Sequence, residues 1–494
     1  MTEINLQNQI SNLRCTRRRW VRGVSPAATV LALIGAVVSP TLAGPLTPPP
    51  GPVTSTPGAE ARIAINATNT PGDATAKFII TQPGSYYLTG NIDVSAVTNT
   101  SGIRIAANDV TVDLNGFIIK GTSGNTQPLI LVAGSGIGTN KGNVTIRNGT
   151  VRDGGSDGIN SLTNAAETVR LYDIVSRNNL GSGFQLTNRS FVQNCVAQNN
   201  NSLGFNATSA SNCTFLDCTA DANANTGLAA GNAANVRNCL STANGAFGIT
   251  VGPSSAVASC VVRGNFGTEI VSGNACTITN CTADNFGTSG SGLVLGDNCA
   301  ITNCTAVGGS GSVGFSAGNG CSFTSCSASG GGGGFLSSTR STFAGCTASN
   351  STGNGFSVGS GSTITGCSAS TNSGFGILAT NGSIVSNCSV YLNGSDGIRV
   401  SNGATVLNST ARSNTGVGIF CTGADNRIEG NSVSSNGGGG ISVPGGCIVV
   451  RNYAAGQGAN DYVVAGNNAF GQILDVSAAA TTITTSNSFA NFKF

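Results

Sequence analysis

The sequence predicts an all-β solenoid, a right-handed parallel β-helix of about 15 coils of ~21–22 residues, capped at both ends. Three observations predict it. A cysteine column recurs at a near-constant spacing, a period-two alternation runs in step with that column, and the composition is too poor in large side chains to fill a globular core.

Composition sets the frame. Charged residues make up 9% of the 494, aromatics 5%, and glycine occupies 72 positions, against roughly a quarter charged residues in ordinary domains. Small residues suit a fold that buries side chains in regular stacks. Disorder is disfavoured because 39% of residues are hydrophobic and recur at fixed intervals. Residues 1–43 hold five arginines and a single acid, so the rest of the chain carries a charge of about −1. That balance removes the electrostatic footprint of a nucleic-acid or anionic-membrane binder.

The repeat is read from Cys195, Cys218, Cys239, Cys260, Cys281, Cys304, Cys326, Cys346, Cys367 and Cys388, whose separations are 23, 21, 21, 21, 23, 22, 20, 21 and 21 residues. Ser409, Asn431 and Asn452 continue the column downstream, and Ile174 and Gly149 upstream. Two residues after it stands a small apolar residue (Ala197, Ala220, Ala283, Ala306), and between them a Thr, Ser or Val. This alternation predicts a strand with cysteine and alanine inside and hydroxyls outside. Immediately before the column come Asn148, Asp173, Asn194, Asp217, Asn238 and their successors to Gly430, residues that tolerate a left-handed backbone, so a sharp bend is expected there. A glycine followed by Ile, Leu or Phe, as in Gly183-Phe184 and Gly397-Ile398, marks a second turn and a second inward-pointing strand. A period near 22 is too short for a strand plus a returning helix and suits three short strands per coil.

The remaining segments follow from this core. Residues 101–455 form the β-helix, residues 59–100 an N-terminal cap and residues 456–494 a C-terminal cap, since a solenoid needs its open edges covered. Residues 44–58 read as a Pro-rich linker. Residues 1–43 read as an export signal, with Arg17-Arg18-Arg19, an apolar stretch from Val24 to Leu42 and a small-residue end at Thr41-Leu42-Ala43. Thr16 to Arg22 resembles the twin-arginine pattern, with ordinary secretion as the alternative. Pro26 and Pro40 interrupt the apolar stretch, which argues against an uncleaved anchor, and no membrane span is expected in the mature chain.

The motifs Ser85-Tyr86-Tyr87-Leu88-Thr89-Gly90, Val110-Thr111-Val112-Asp113-Leu114-Asn115-Gly116-Phe117, Val144-Thr145-Ile146-Arg147-Asn148-Gly149 and Asn426-Arg427-Ile428-Glu429-Gly430-Asn431 carry a family likeness. The chain resembles the right-handed parallel β-helix repeat proteins of the pectin-lyase-like superfamily, particularly exported bacterial members. The resemblance implies the fold; the superfamily contains lyases, hydrolases, epimerases and members without known chemistry, so it implies no single activity.

The chain has no histidine, which excludes imidazole bases, Ser-His triads and His-containing zinc or copper sites. The best polar cluster is Arg152, Asp153, Asp157 and Arg177, with the two arginines in one outward column, and it reads either as a small site for an acidic or hydroxylated sugar or as a solvated charge group. The cysteines, with a second column at Cys213, Cys276, Cys299 and Cys321, read as a core stack, as disulfides or as metal ligands, and the core stack fits their size and spacing best. The Ser/Thr pairs from Thr305 to Ser389 form an uncharged outward array that suits ice, polysaccharide or plain water. The function expected is an exported, non-catalytic β-helix that binds carbohydrate or another cell-envelope component. A polysaccharide lyase is the alternative. No cofactor is expected, and calcium would enter only with the lyase.

Overall fold

Coils of short parallel strands account for most of the described chain; on two of them the first and second strands run together as Gly142–Arg152 and Glu167–Arg177. The structure is a computed structural model that describes residues 62–133, 142–161, 167–285, 289–476 and 485–494. These residues belong to one compact unit that begins at Ala59. The export signal and the linker assigned from the sequence lie outside the described residues.

A representative coil runs through strands Thr214–Leu216, Thr219–Asp221 and Leu228–Ala230. Each strand pairs parallel with its equivalent on the next coil: Phe215 stands opposite Val236, Ala220 opposite Ser241, and Ala229 opposite Thr250. The ladder of third strands alone contains eighteen members, from Ala76–Ile80 to Tyr462–Val464. The stack is therefore longer than the fifteen positions read from the cysteine column. The extra coils lie at the ends, where the spacing is irregular and no cysteine marks it. Ile63–Ala64 already pairs with Tyr86–Tyr87, and Tyr453–Ala455 pairs with the terminal strand Asn491–Lys493.

The bend before the column is where the residue types placed it. Asn148, Asp173, Asn194, Asp217, Asn238, Asn280, Asn303 and Asn387 all have positive φ, with Asn194 at 52°, and Gly345 and Gly366 take the same role. A left-handed residue is cheap for Asn, Asp and Gly and costs most other L-residues roughly 1–2 kcal/mol, which explains the restricted alphabet. A single such residue turns the first strand into the second without a loop.

Three inward columns make the core. The first strand contributes Val192, Phe215, Val236 and Ile278, the second Ala197, Ala220 and Ala283, and the third Phe184, Phe205, Leu228 and Ile249, all buried. Small alanines on the second strand leave room for the large rings facing them. Phe315, Phe335 and Phe356 stack at 4.8 Å between successive coils and meet Phe323 and Phe343 edge-on at 5.6–5.8 Å. Such pairs add about 0.5–1.5 kcal/mol each beyond area burial.

Sixteen cysteines are buried and unpaired by disulfides among the described residues. Those of the main column point inward, and their thiols donate to the carbonyl two residues earlier, as Cys281 does to Thr279 (3.3 Å) and Cys304 to Thr302 (3.4 Å). They act as small apolar fillers with one weak donor each. At the C-terminal end the column changes chemistry: Ser409 N donates to Asn431 Oδ1 (2.9 Å), and Asn431 and Asn452 pass side-chain amides on to Asn452 and Asn491 (3.0 and 3.2 Å).

A second amide ladder went unread in the sequence. Five residues after the cysteine column, Asn179, Asn200, Asn223, Asn244 and Asn265 are buried, and each of the first four donates its Nδ2 to the Oδ1 of the next at 2.8–3.0 Å. Asn372, Asn393, Asn414 and Asn436 repeat the arrangement, and the Ser351 N–H donates to Asn372 Oδ1 at its start (3.1 Å). The ladder explains the recurrent glycines. A Cβ on Gly204 would lie 2.8 Å from Asn223 Nδ2, and one on Gly397 would lie 2.7 Å from Asn414 Nδ2. Neither glycine has positive φ, so room for the amide, not backbone freedom, selects it.

Candidate functional site

Outward residues at the end of the second strand form one row along the rod. In register on successive coils stand Asp93, Lys120, Arg152, Arg177, Gln198, Asp221, Thr242, Arg263 and Asp284. Arg152 and Arg177 are therefore neighbours, as the column spacing implied. Lys120 is a third base beside them that sequence reasoning missed. The coil that separates it from Arg152 is longer than the repeat, so the period stops pointing to it.

Asp153 ties this corner together. Its backbone is left-handed (φ 60°), its N–H donates to Arg177 O (3.2 Å), and its carboxylate accepts Arg152 Nη1 (3.0 Å) and Asn178 Nδ2 (3.2 Å). Arg152 Nε is buried without a hydrogen-bond partner. No hydrogen bond or ion pair holds the Arg177 guanidinium among the described residues. An open pocket of about 320 Å³ adjoins the corner, lined by Lys120, Thr122, Ser123, Asp153 and Asn178. The site thus offers three stacked cations, one of them partly neutralised by Asp153, with hydroxyls and amides beside them.

Asp157 does not join this group. It sits on the turn before Ile159–Asn160, where its carboxylate accepts Ser182 N and Asn160 Nδ2, both at 2.7 Å. Burial pushes its carboxyl above the usual range against those two bonds. Asp396 occupies the same position eleven coils on and accepts Val417 N at 2.8 Å, so the pattern is a turn fastening.

The first-strand face beside the row carries Tyr87, Asp113, Arg147 and Tyr172 in register. Asp113 pairs with Arg62 (2.9 Å) and Arg147 (3.2 Å), and Arg62 lies over the Tyr87 ring at 5.0 Å. Charged and aromatic groups concentrate here, on the N-terminal coils. Farther along, Thr305, Ser327, Thr347, Ser368 and Ser389 form the uncharged outward row read from the sequence.

No group of three His, Cys, Asp or Glu side chains that could hold a metal ion occurs among the described residues. No helix among them is long and apolar enough to cross a membrane.

The family described as "right handed beta helix region" matches residues 130–283, 269–406 and 316–455, which together span most of the coils. The chain belongs to this right-handed β-helix family. The match follows the ladders, and the pectin-lyase-like type is the fold described above. Comparison with curated proteins finds no match. Among solved structures, the chain is similar to the A-module of mannuronan C-5 epimerase AlgE6 from Azotobacter vinelandii, with 15% identity, 78% of this chain and 90% of that one covered, and a TM-score of 0.23. It is similar to the periplasmic alginate epimerase AlgG at 9% identity, with 83% and 84% covered and a TM-score of 0.24. It is also similar to pectate lyase Pel9A at 11% identity, with 74% and 70% covered and a TM-score of 0.19. At these values the likeness is one of fold.

Proposed function

We propose that this β-helix protein is exported through the leader at residues 1–43 and binds an acidic polysaccharide, or an equivalent anionic cell-envelope polymer, along its N-terminal coils without transforming it. The observation that carries the reading is the register of Lys120, Arg152 and Arg177. Successive coils set these cations about 4.8 Å apart, close to the advance of one sugar along an extended chain. A polymer lying along the rod would meet one cation per coil. Each exposed contact contributes up to about 1 kcal/mol, so affinity rests on several engaging together. Tyr87 and Tyr172 stand in register on the neighbouring face, at the flank of the row.

A non-catalytic role fits the local chemistry. The chain has no histidine, and Asp153, the carboxylate nearest the bases, is already tied to Arg152 and Asn178. A base poised at a reacting carbon and a second group to stabilise the charge that develops there are both needed for elimination.

Native electrophoresis of the mature protein through gels cast with polygalacturonate or with neutral dextran tests the reading. Retardation is expected in the first gel only, and it should disappear in the variant carrying both Arg152→Ala and Arg177→Ala while circular dichroism stays unchanged. Unsaturated, ultraviolet-absorbing product formed by wild type and not by the double variant would establish the lyase alternative instead.

A further inference from the structure

The amide ladder of the central coils ends on a carboxyl group. Asn265 receives Asn244 Nδ2 on its Oδ1 (2.8 Å), but on the coil beyond Asn285 turns its amide to Gly267 O and Ser291 O and does not receive Asn265 in turn. Glu269, four residues downstream on the same coil, folds back into that place: Asn265 N donates to its Oε1 (3.1 Å) and Asn265 Nδ2 to its Oε2. The Glu269 side chain is fully buried. It is the one buried carboxylate in an otherwise neutral ladder, and neither the coil geometry nor the proposed binding face requires it.

Its surroundings favour a neutral group. The preceding coil offers Ser241 and Asn244, both neutral, and the following coil places Asp284 close enough to disfavour a second negative charge. Arg263, on its own coil, lies in register with Asp284 on the outer face and makes no ion pair with Glu269. Asn285 donates its side-chain amide to Gly267 O (2.5 Å) and Ser291 O (3.4 Å), and Ser291 O also accepts the Glu269 N–H (3.1 Å). Asn285 Oδ1 is left buried without a donor. A protonated Glu269 brings a donor to this turn; an ionised one brings a second acceptor.

We propose that Glu269 is a proton-operated latch on the turn formed by residues 264–268: protonated, it lies uncharged and fully buried at the end of the ladder and holds the turn closed; ionised, its buried charge has no cation to pair with, and the carboxylate moves out to water and releases the turn. The turn carries Phe266, whose 70% exposure is the highest of any large apolar side chain among the described residues. Release of the turn therefore alters the presentation of an exposed ring. Desolvation raises the Glu269 carboxyl to about 7 against the hydrogen bonds from Asn265. The folded value lies above the unfolded one, so the closed turn is fully favoured at acid pH and is lost as pH rises through neutrality.

Hydrogen exchange of the full mature protein between pH 5 and pH 9 tests the latch, with rates corrected for intrinsic base catalysis. In wild type the protection of residues 264–270 should fall at least tenfold across that range, while residues 377–400 stay level. The Glu269→Gln variant, which carries a permanent donor, should keep its protection throughout. Equal falls in both proteins, or none in either, would overturn the proposal. Carbon-13-edited infrared spectroscopy of glutamate-labelled wild type gives a check that needs no variant. A protonated carboxyl band that disappears near neutral pH supports the latch, and its absence at pH 5 contradicts it.

Discussion

Gly397 is buried and Gly403 is exposed, and they are glycine for different reasons. A Cβ at Gly397 would meet Asn414 Nδ2 and Gly418 O, each at 2.7 Å, whereas at Gly403 nothing lies within 4 Å and only the positive φ of 63° restricts the residue. Gly397→Ala should therefore cost about 2–3 kcal/mol through overpacking, and Gly403→Ala about 1 kcal/mol through backbone strain. Urea midpoints of the two variants check the order. Asp113 gives a pH-dependent counterpart. Burial alone would raise its carboxyl, but the Asn115 N–H, the Asn148 amide, Arg147 and Arg62 together hold it below 3.8. A depressed folded value means its contribution is present above that pH and is lost as pH falls through the folded value. Asp113→Asn should lower the thermal midpoint at pH 7, and the gap from wild type should close as the pH drops below 3.8.

The strands and bends were legible because each depends on a short local rule. Alternation marked the second strand, and the Asn/Asp/Gly position before the column marked the bend. The buried amide ladder was not legible, since an asparagine that follows a strand reads first as a turn residue. The signal lay in phase: asparagine recurs five residues after the cysteine column and glycine four residues beyond that. At the candidate site, Arg152 beside Arg177 was readable from the period. Lys120 was hidden by an over-long coil, and Asp157 was grouped with the arginines by sequence proximity although the turn directs it to Ser182. The ladder and the cysteine column should also respond differently to truncation. Asn393→Ala removes the acceptor of Asn372 N and Asn372 Nδ2 and should cost about 2–4 kcal/mol, because two buried donors are stranded. Cys304→Ala removes one small apolar group and should cost about 1 kcal/mol.

The described coils form a one-dimensional stack, so their stability is a sum over coils and their interfaces. Deletion of residues 347–367, one full coil, joins Cys346 to Ser368 in the original phase. The shortened protein should fold with an unchanged circular dichroism shape, while deletion of half that length should abolish folding. Burial also shields the thiols from reagents, and it pushes Cys195 up to about 12 and Cys213 to about 11. Alkylation of the native protein should be slow and should become complete only on unfolding. The central claim, that the N-terminal cation row holds an anionic polymer, is tested most directly by calorimetric titration of the mature protein with polygalacturonate fragments at rising salt. Binding should weaken steadily with salt, because the charges are exposed and screened. It should weaken in Lys120→Ala, in Arg152→Ala and in Arg177→Ala, and be absent in the triple variant. Undiminished binding by the triple variant, or no binding by wild type at low salt, would contradict the account.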